Sequence, residues 1–374
     1  MDFMSLLGLI WPENNFWANL IKFFDVGSYV WTILIFTVIL KLLISPLDFL
    51  QRHFVNKNSR AQALIKPELD KIKKQCGNNQ LLLQKKQNEL YSKYNFSMKG
   101  SCIIMVLYMA ITLAVFITLF SSLQGISNFK MNNQFVQLQE TYNTTYNAEF
   151  SDYLTTIGAN VEEYNSKETS EDKDNYLAEC YKGANGGSKE EAKAANNAKI
   201  QEIIADSQVG VVEKYEETKD SWLWVKNIWR SDKPTQSAIL SYNEFKASVK
   251  DTSVTEVEYN NVMGKLLNDK TINTANGYYI LSVIVVLVSL LSQYLSRKMS
   301  GQKMEGGASK ILMFILPVAM LLFTINSSAM FSVYIITNSL ISALLTPITT
   351  IISNKIENKK EKERKDKNKA IYSR

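Results

Sequence analysis

Charged residues are almost absent from five stretches of the chain, 29–50, 101–123, 277–295, 311–329 and 330–352. Each is close to the roughly 20 residues a helix needs to cross a bilayer's hydrocarbon core. None keeps the polar face of a soluble amphipathic helix. The pattern predicts an all-α polytopic membrane protein with five transmembrane helices and excludes a wholly soluble fold. Residues 51–100, between the first two stretches, are polar but still periodic. Ile65, Leu69, Ile72 and Cys76 share one helical face, and after Gly77-Asn78-Asn79 the residues Leu83, Gln87, Leu90 and Tyr94 repeat the spacing. Two such stripes joined by a short turn predict an antiparallel helical hairpin with a narrow apolar seam.

Ahead of the first span, in the segment 1–28, residues 15–26 place Phe16, Leu20, Phe23 and Phe24 on one face with Trp17 beside them. That suits a helix lying in the membrane interface; an irregular lead-in to the span is the alternative. The leading residues lack a basic start and a small-residue cleavage site, and Pro12-Glu13-Asn14 interrupts their apolar run, so no secretory signal is expected.

Charge sets the orientation. Segment 51–100 has eleven basic residues against three acidic, loop 296–310 four against one, and the tail 353–374 nine against four. Residues 1–28 have one basic against three acidic, and 124–276 sixteen against twenty-four. The signs alternate as five spans require. The basic hairpin, loop and tail are expected in the cytosol, and the leading helix and the acidic insert outside. The insert has only Pro234, and stretches 188–206 and 236–250 read as helical, broken by Gly183, Gly186 and Gly187, so a mostly helical outer domain is expected.

Composition then removes chemistry. The single histidine, His53, makes a His-based metal site or a Ser-His-Asp triad untenable. Cys76, Cys102 and Cys180 are too scattered for a zinc site or a disulfide framework. No paired carboxylates or Gly-rich phosphate loop lie in or beside the spans, so neither a cofactor nor an enzyme is expected. What stands out is Lys41, the one basic residue inside an apolar run, VILKLLISPLDFL. A charge in hydrocarbon costs at least about 2.5–3.5 kcal/mol and ordinarily faces protein or a wet cavity. Pro46 allows a second reading, in which the helix bends or ends there and Lys41 snorkels to headgroups. Spacing leaves both open.

Other polar positions inside spans are Tyr108 and Thr112 in the second, Gln293 in the third, and Ser332, Tyr334 and Asn338 in the fifth. Ser and Thr usually satisfy themselves on their own backbone, whereas an amide such as that of Asn338 needs another helix or a cavity. The hairpin carries Lys66, Lys71, Lys73, Lys74, Lys85 and Lys86, and the tail Lys359, Lys360, Lys362, Arg364 and Lys365. These are candidate docking residues for anionic lipid or for ribosomal RNA; singly, each serves as well to solvate the surface and hold the topology.

The order of features resembles the YidC-type membrane protein insertases, a bacterial family with mitochondrial and chloroplast relatives. The resemblance rests on a basic residue in the first span, SPLDFL, a basic hairpin with IKPELDKI and ELYSKYNF, and YYILSVIVVLVSLLSQYLSRKMSG. It extends to ILPVAMLLFTINSSAMFSVYIITN, where Pro317, Tyr334 and Asn338 fall at expected places, and to DSWLWVKNIWRSDKP before the third span. Together these cover about half the chain. Lys41 stands where the family has an arginine, which keeps charge but not the planar fork. The second span lacks the family's prolines, and Ser328-Ala329-Met330 replaces a Pro-Ala-Gly.

The resemblance implies insertion of client transmembrane segments into a bacterial cytoplasmic membrane, through a hydrated, positively charged groove open to cytosol and lipid. Lys41 is its implied charge. The implied partners are nascent membrane proteins, anionic lipids, the ribosome through hairpin and tail, and the Sec translocon; the external insert would have a partner of its own. The alternatives are a small-solute transporter or channel, for which inverted repeats would be expected, and a membrane scaffold presenting the insert.

Overall fold

The computed structural model describes residues 15–77, 79–94, 98–249, 253–300 and 307–372. The break expected at Pro12-Glu13-Asn14 lies outside them. The chain divides into two compact units, Asn14–Gln124 with Tyr279–Arg374, and Gly125–Tyr278 with Met1–Glu13.

In the first unit, α1 (Phe16–Phe23) starts on Asn15, whose side chain accepts from the backbone N–H groups of Trp17 and Ala18 at 3.0 and 3.2 Å. Capping in this way satisfies donors that a helix start would leave unpaired. Ala18 and Ile21 are buried, while Phe16 and Phe23 are exposed. The uncovered face is thus the aromatic one. Helix α2 (Tyr29–Cys76) is 48 residues long and passes through both Pro46 and Pro67. A proline removes the bond to the carbonyl four residues back. At Pro46 that carbonyl belongs to Leu42, and the neighbouring Ser45 hydroxyl donates to it at 2.7 Å. The helix therefore does not end there.

Helix α3 (Gln80–Lys93), capped by Asn79 on the N–H of Leu82, folds back on α2. Ala61, Ile65 and Leu90 form a small core, with Leu69, Ile72, Tyr91 and Tyr94 packed against it. Helix α4 (Met98–Thr156) gives its first part to this unit; α10 (Ile280–Ser300), α11 (Gly307–Asn326) and α12 (Ala329–Tyr372) complete it. Helix α12 packs on α2 and α10, and α11 packs on α10.

Among the described residues, four helices, within α2, α4, α10 and α12, are long and apolar enough to cross a membrane. The stretch expected to be the fourth span coincides with α11, whose described apolar part is the shorter Pro317–Asn326. The third stretch, expected from 277, becomes helical only at Ile280, because Tyr279 has a φ of +63°. The fifth runs on without a break through the basic tail.

The second unit is mostly helical, with irregular segments over 219–241 and 269–278 that carry isolated bridges at Trp222–Val225 and Ser237–Ala275. The rest of α4 packs with α5 (Val161–Ser166), α6 (Ser170–Asn185), α7 (Lys189–Thr218), α8 (Tyr242–Ser248) and α9 (Glu256–Asn268). Capping boxes Ser188–Glu191, Ser241–Glu244 and Thr255–Glu258 start α7, α8 and α9. The expected helix at 188–206 extends to Thr218. That expected over 236–250 shrinks to Tyr242–Ser248, because Ser241 caps there and the preceding residues bond to 274–276. Phe135, Phe245 and Tyr259 form the aromatic centre, with ring centroids 4.6–5.0 Å apart.

Candidate functional site

The continuation of α2 through Pro46 decides what Lys41 meets. Seven residues are close to two turns of 3.6, so Lys41 and Asp48 fall on one face of an unbroken helix. Their side chains, 9% and 6% exposed, form an ion pair of 2.6 Å from Nζ to Oδ2. The other Asp48 oxygen, Oδ1, is buried without a hydrogen-bond partner. Tyr108 of α4 is half-buried within electrostatic range of Asp48 and of Arg52. Lys41 is thus not a bare cation. It is one half of a buried pair whose acid keeps an unused acceptor.

Beyond the pair, α2 is tied to α10 and α12 by polar contacts. Arg52 donates to Ser296 at 3.1 Å; His53 shares a hydrogen bond with Ser353 at 2.9 Å and lies 3.2 Å from Glu357. Arg60 donates to Asn354 and Asn358, both at 2.9 Å. Helices α2, α10 and α12 are held together here, while α4 differs. Only 6% of its apolar stretch is buried, against 33% in α2. From Ile103 through Met105, Val106, Leu107, Met109, Ile111 and Leu113 to Ile117, its large side chains are uncovered. Its hold on the unit lies nearer its 116–123 end. There Leu119 and Leu123 are buried, Trp17 donates to Thr118 at 2.8 Å, Ser122 donates to Asn15 at 2.7 Å, and Phe116 and Phe120 meet Phe323 and Phe331. The arrangement leaves one flank of the Lys41–Asp48 pair beside a helix with little protein around it.

The other expected site residues are less united. Thr112 satisfies itself, donating to the carbonyls of Tyr108 and Met109 at 2.8 and 3.1 Å. Ser332 is buried with its hydroxyl unpartnered, Tyr334 is buried, and Gln293 and Asn338 are half-buried. The described contacts do not join Gln293, Ser332, Tyr334 or Asn338 to the ion pair. On the hairpin, Lys66, Lys71, Lys73, Lys74 and Lys85 are exposed and Lys86 is half-buried. On α12, Lys359, Lys360 and Lys362 are exposed; the side chains of Arg364 and Lys365 lie outside the described residues.

At the hairpin's open end, Glu68 accepts from the Tyr94 hydroxyl and lies 3.1 Å from Lys93. The Tyr94 hydrogen bond first, and then Lys93, hold the Glu68 carboxyl below its usual range. Sequence reasoning missed Asp48 as the partner of Lys41. The signal was the seven-residue spacing, hidden by the proline between them.

Residues 21–174 match the family described as 60Kd inner membrane protein. Among curated proteins, the chain is 36% identical over 101 residues to the membrane protein insertase YidC of Clostridium tetani, covering 27% of this chain and 43% of that one. Identity to the Fusobacterium nucleatum protein of the same name is 30% over 91 residues, 24% of this chain and 42% of the relative. With the Clostridium perfringens insertase it is 29% over 126 residues, 33% and 51%. The matches therefore span about half of these relatives' length. No solved structure matches the chain. These findings agree with the likeness carried by the ordered motifs.

Proposed function

From the chain's similarity to the YidC-type insertases, we propose that it inserts transmembrane segments of other proteins into the membrane, N-terminus out and basic segments in the cytosol. The observation that carries this reading is a buried ion pair beside a span whose apolar surface from Ile103 to Ile117 is uncovered. An apolar client helix fits against such a surface, and its polar tail fits a place where charge is already accommodated.

A charged or polar tail meets a barrier in bare hydrocarbon. The pair lowers it locally. Asp48 pairs with Lys41 at rest, so no isolated cation faces lipid. An acidic tail arriving from the cytosol competes with Asp48 for the Lys41 ammonium, while the unused Oδ1 of Asp48 accepts a tail or water proton donor. The exchange trades one carboxylate partner for another, and so binds without holding. The client's apolar helix then leaves sideways along α4, driven by burial of apolar surface at about 25 cal/mol per Å². Tyr108 lies near Asp48, and Gln293, Ser332, Tyr334 and Asn338 are proposed to furnish polar groups deeper in the groove.

The basic hairpin and tail are proposed to meet anionic headgroups and the ribosome, with phosphate as the shared ligand chemistry. In proteoliposomes, the protein is expected to insert a single-span client bearing a short acidic external tail, without nucleotide. Equal insertion into protein-free liposomes, or transport of a small solute with no client present, would contradict the reading.

A further inference from the structure

Residues 220–232 of the second unit fold into a tight knot from which one short turn protrudes. Trp222 and Val225 bond each other's backbones at 3.0 and 2.9 Å, leaving Leu223 and Trp224 as the two central residues. Leu223 has a φ of +54° and is 68% exposed. Positive φ at the first central residue alone is the pattern of a turn that ordinarily takes glycine there. A large apolar side chain is thus held out from the fold at a backbone position that disfavours it.

The base of the turn is rigid. Asn276 accepts from the Asn227 N–H at 2.7 Å and donates to the carbonyls of Asn227 and Ser231, both at 2.9 Å. The Asp232 carboxylate accepts from the indole N–H of Trp224 at 3.3 Å and from the Tyr278 N–H at 2.7 Å. Trp224 and Tyr278 are therefore fastened to one buried carboxylate, and Tyr278, 61% exposed, stands two residues before the apolar helix α10. At about 3.5 Å per residue, chain connectivity keeps Tyr278 within about 7 Å of that helix's start. Trp222 and Trp224 are half-exposed and Lys226 is exposed beside them.

We propose that the Trp222–Val225 turn is a membrane anchor, with Leu223 in the acyl boundary of the leaflet where α10 begins and Trp222, Trp224 and Tyr278 at headgroup level. The occupant of this surface is lipid. Trp and Tyr favour that depth because their rings are apolar with one polar edge, and a lysine beside them reaches lipid phosphate. Continuity with a membrane-crossing helix is what separates this surface from an ordinary apolar protrusion. The inference needs only that α10 enters a bilayer, so it stands or falls apart from the insertase reading.

The test uses the full chain in lipid vesicles, with Cys76, Cys102 and Cys180 changed to Ser and a nitroxide attached at Leu223→Cys or, as a control on the same unit, at Val257→Cys. Val257 is 70% exposed on α9. At position 223, collisions with dissolved oxygen should persist and collisions with a water-soluble nickel chelate should be lost; at 257 the nickel collisions should remain. Free nickel access at 223 would overturn the anchor, and so would loss of both kinds of collision, which marks burial in protein. Where the cysteine-free chain does not fold, bromolipid quenching of tryptophan emission in the cysteine-containing protein decides. Quenching should fall in Trp222→Phe with Trp224→Phe, and unchanged quenching overturns the proposal.

Discussion

Asp232 and Asp48 are buried to nearly the same degree, 2% and 4% exposed, but are treated differently. Asp232, in the Gly125–Tyr278 unit, accepts from an indole and a backbone N–H within a knot that Asn227 and Asn276 close around it. Asp48, in the unit of the apolar helices, has Lys41 on Oδ2 and the Tyr108 hydroxyl close by, while its Oδ1 makes no close hydrogen bond. Buried polar groups left short of partners are costly, so they persist where something other than stability keeps them. The first aspartate builds a fold. The second is equipped to exchange partners.

The largest expected effect breaks the Asp232 side. A β-carbon at Gly277 would lie 1.8 Å from Asp232 Oδ1 and 2.9 Å from its Cα, so Gly277→Ala must displace the carboxylate and the backbone that holds it. Together with the lost hydrogen bonds, this should destabilise the Gly125–Tyr278 unit by about 3–5 kcal/mol, the usual scale for disrupting a buried charge. Limited proteolysis across 220–278 reads it, and unchanged resistance would refute the account of the knot. Removing Asp48 is predicted to act more gently and on another quantity. Asp48→Asn should leave the protein folded, as judged by gel filtration in detergent, because Tyr108 lies close by and the position faces a sparsely covered flank. A fold lost as completely as with Gly277→Ala would erase the contrast between the two aspartates.

What the sequence disclosed follows the same division. The apolar stretches, the hairpin seam from Ile65 to Leu90 and the basic segments were legible because burial and charge repeat over many residues. The Lys41–Asp48 pair was not, because Pro46 stands between them and the carbonyl it frees is taken up by Ser45. The helix over 236–250 was over-read, since its apolar residues Ala238 and Ile239 are buried in an irregular segment rather than on a helical face. The uncovered flank of α4 could not be seen at all. A lipid-facing helix and a groove-facing helix have the same composition, and only packing separates them.

Smaller effects sharpen the comparison at the hairpin, where seam and ion pair are separable. Ile65 is 2% exposed in a core of three buried residues, and Ile65→Ala should cost about 2–4 kcal/mol locally. Hydrogen exchange should then rise throughout α3 while α10 and α12 are unaffected. The smallest effect is that of Glu68, whose carboxyl is held below its ordinary 4.5 by Tyr94 and Lys93. A depressed carboxylate stabilises the hairpin at pH values above its ordinary range and loses that contribution as pH falls through its folded value. Amide protection in α3 should therefore be flat from neutral pH down to about 5 and decline below about 4.5. Tyr94→Phe should flatten that decline, and an unaltered acid profile would remove Glu68 from the hairpin's energetics.

The central claim is that an incoming carboxylate takes the place of Asp48 on Lys41, and the direct measurement is insertion of two single-span clients that differ only in an acidic or neutral external tail. The protein, Lys41→Ala and Asp48→Asn are compared in proteoliposomes of one lipid composition. Lys41→Ala should slow the acidic-tailed client by about tenfold, equivalent to about 1.4 kcal/mol, and leave the neutral one nearly unchanged. Asp48→Asn, which frees the ammonium, should keep or raise insertion of the acidic-tailed client. Wild-type rates for the acidic-tailed client in Lys41→Ala, or equal slowing of both clients in both variants, would contradict the exchange.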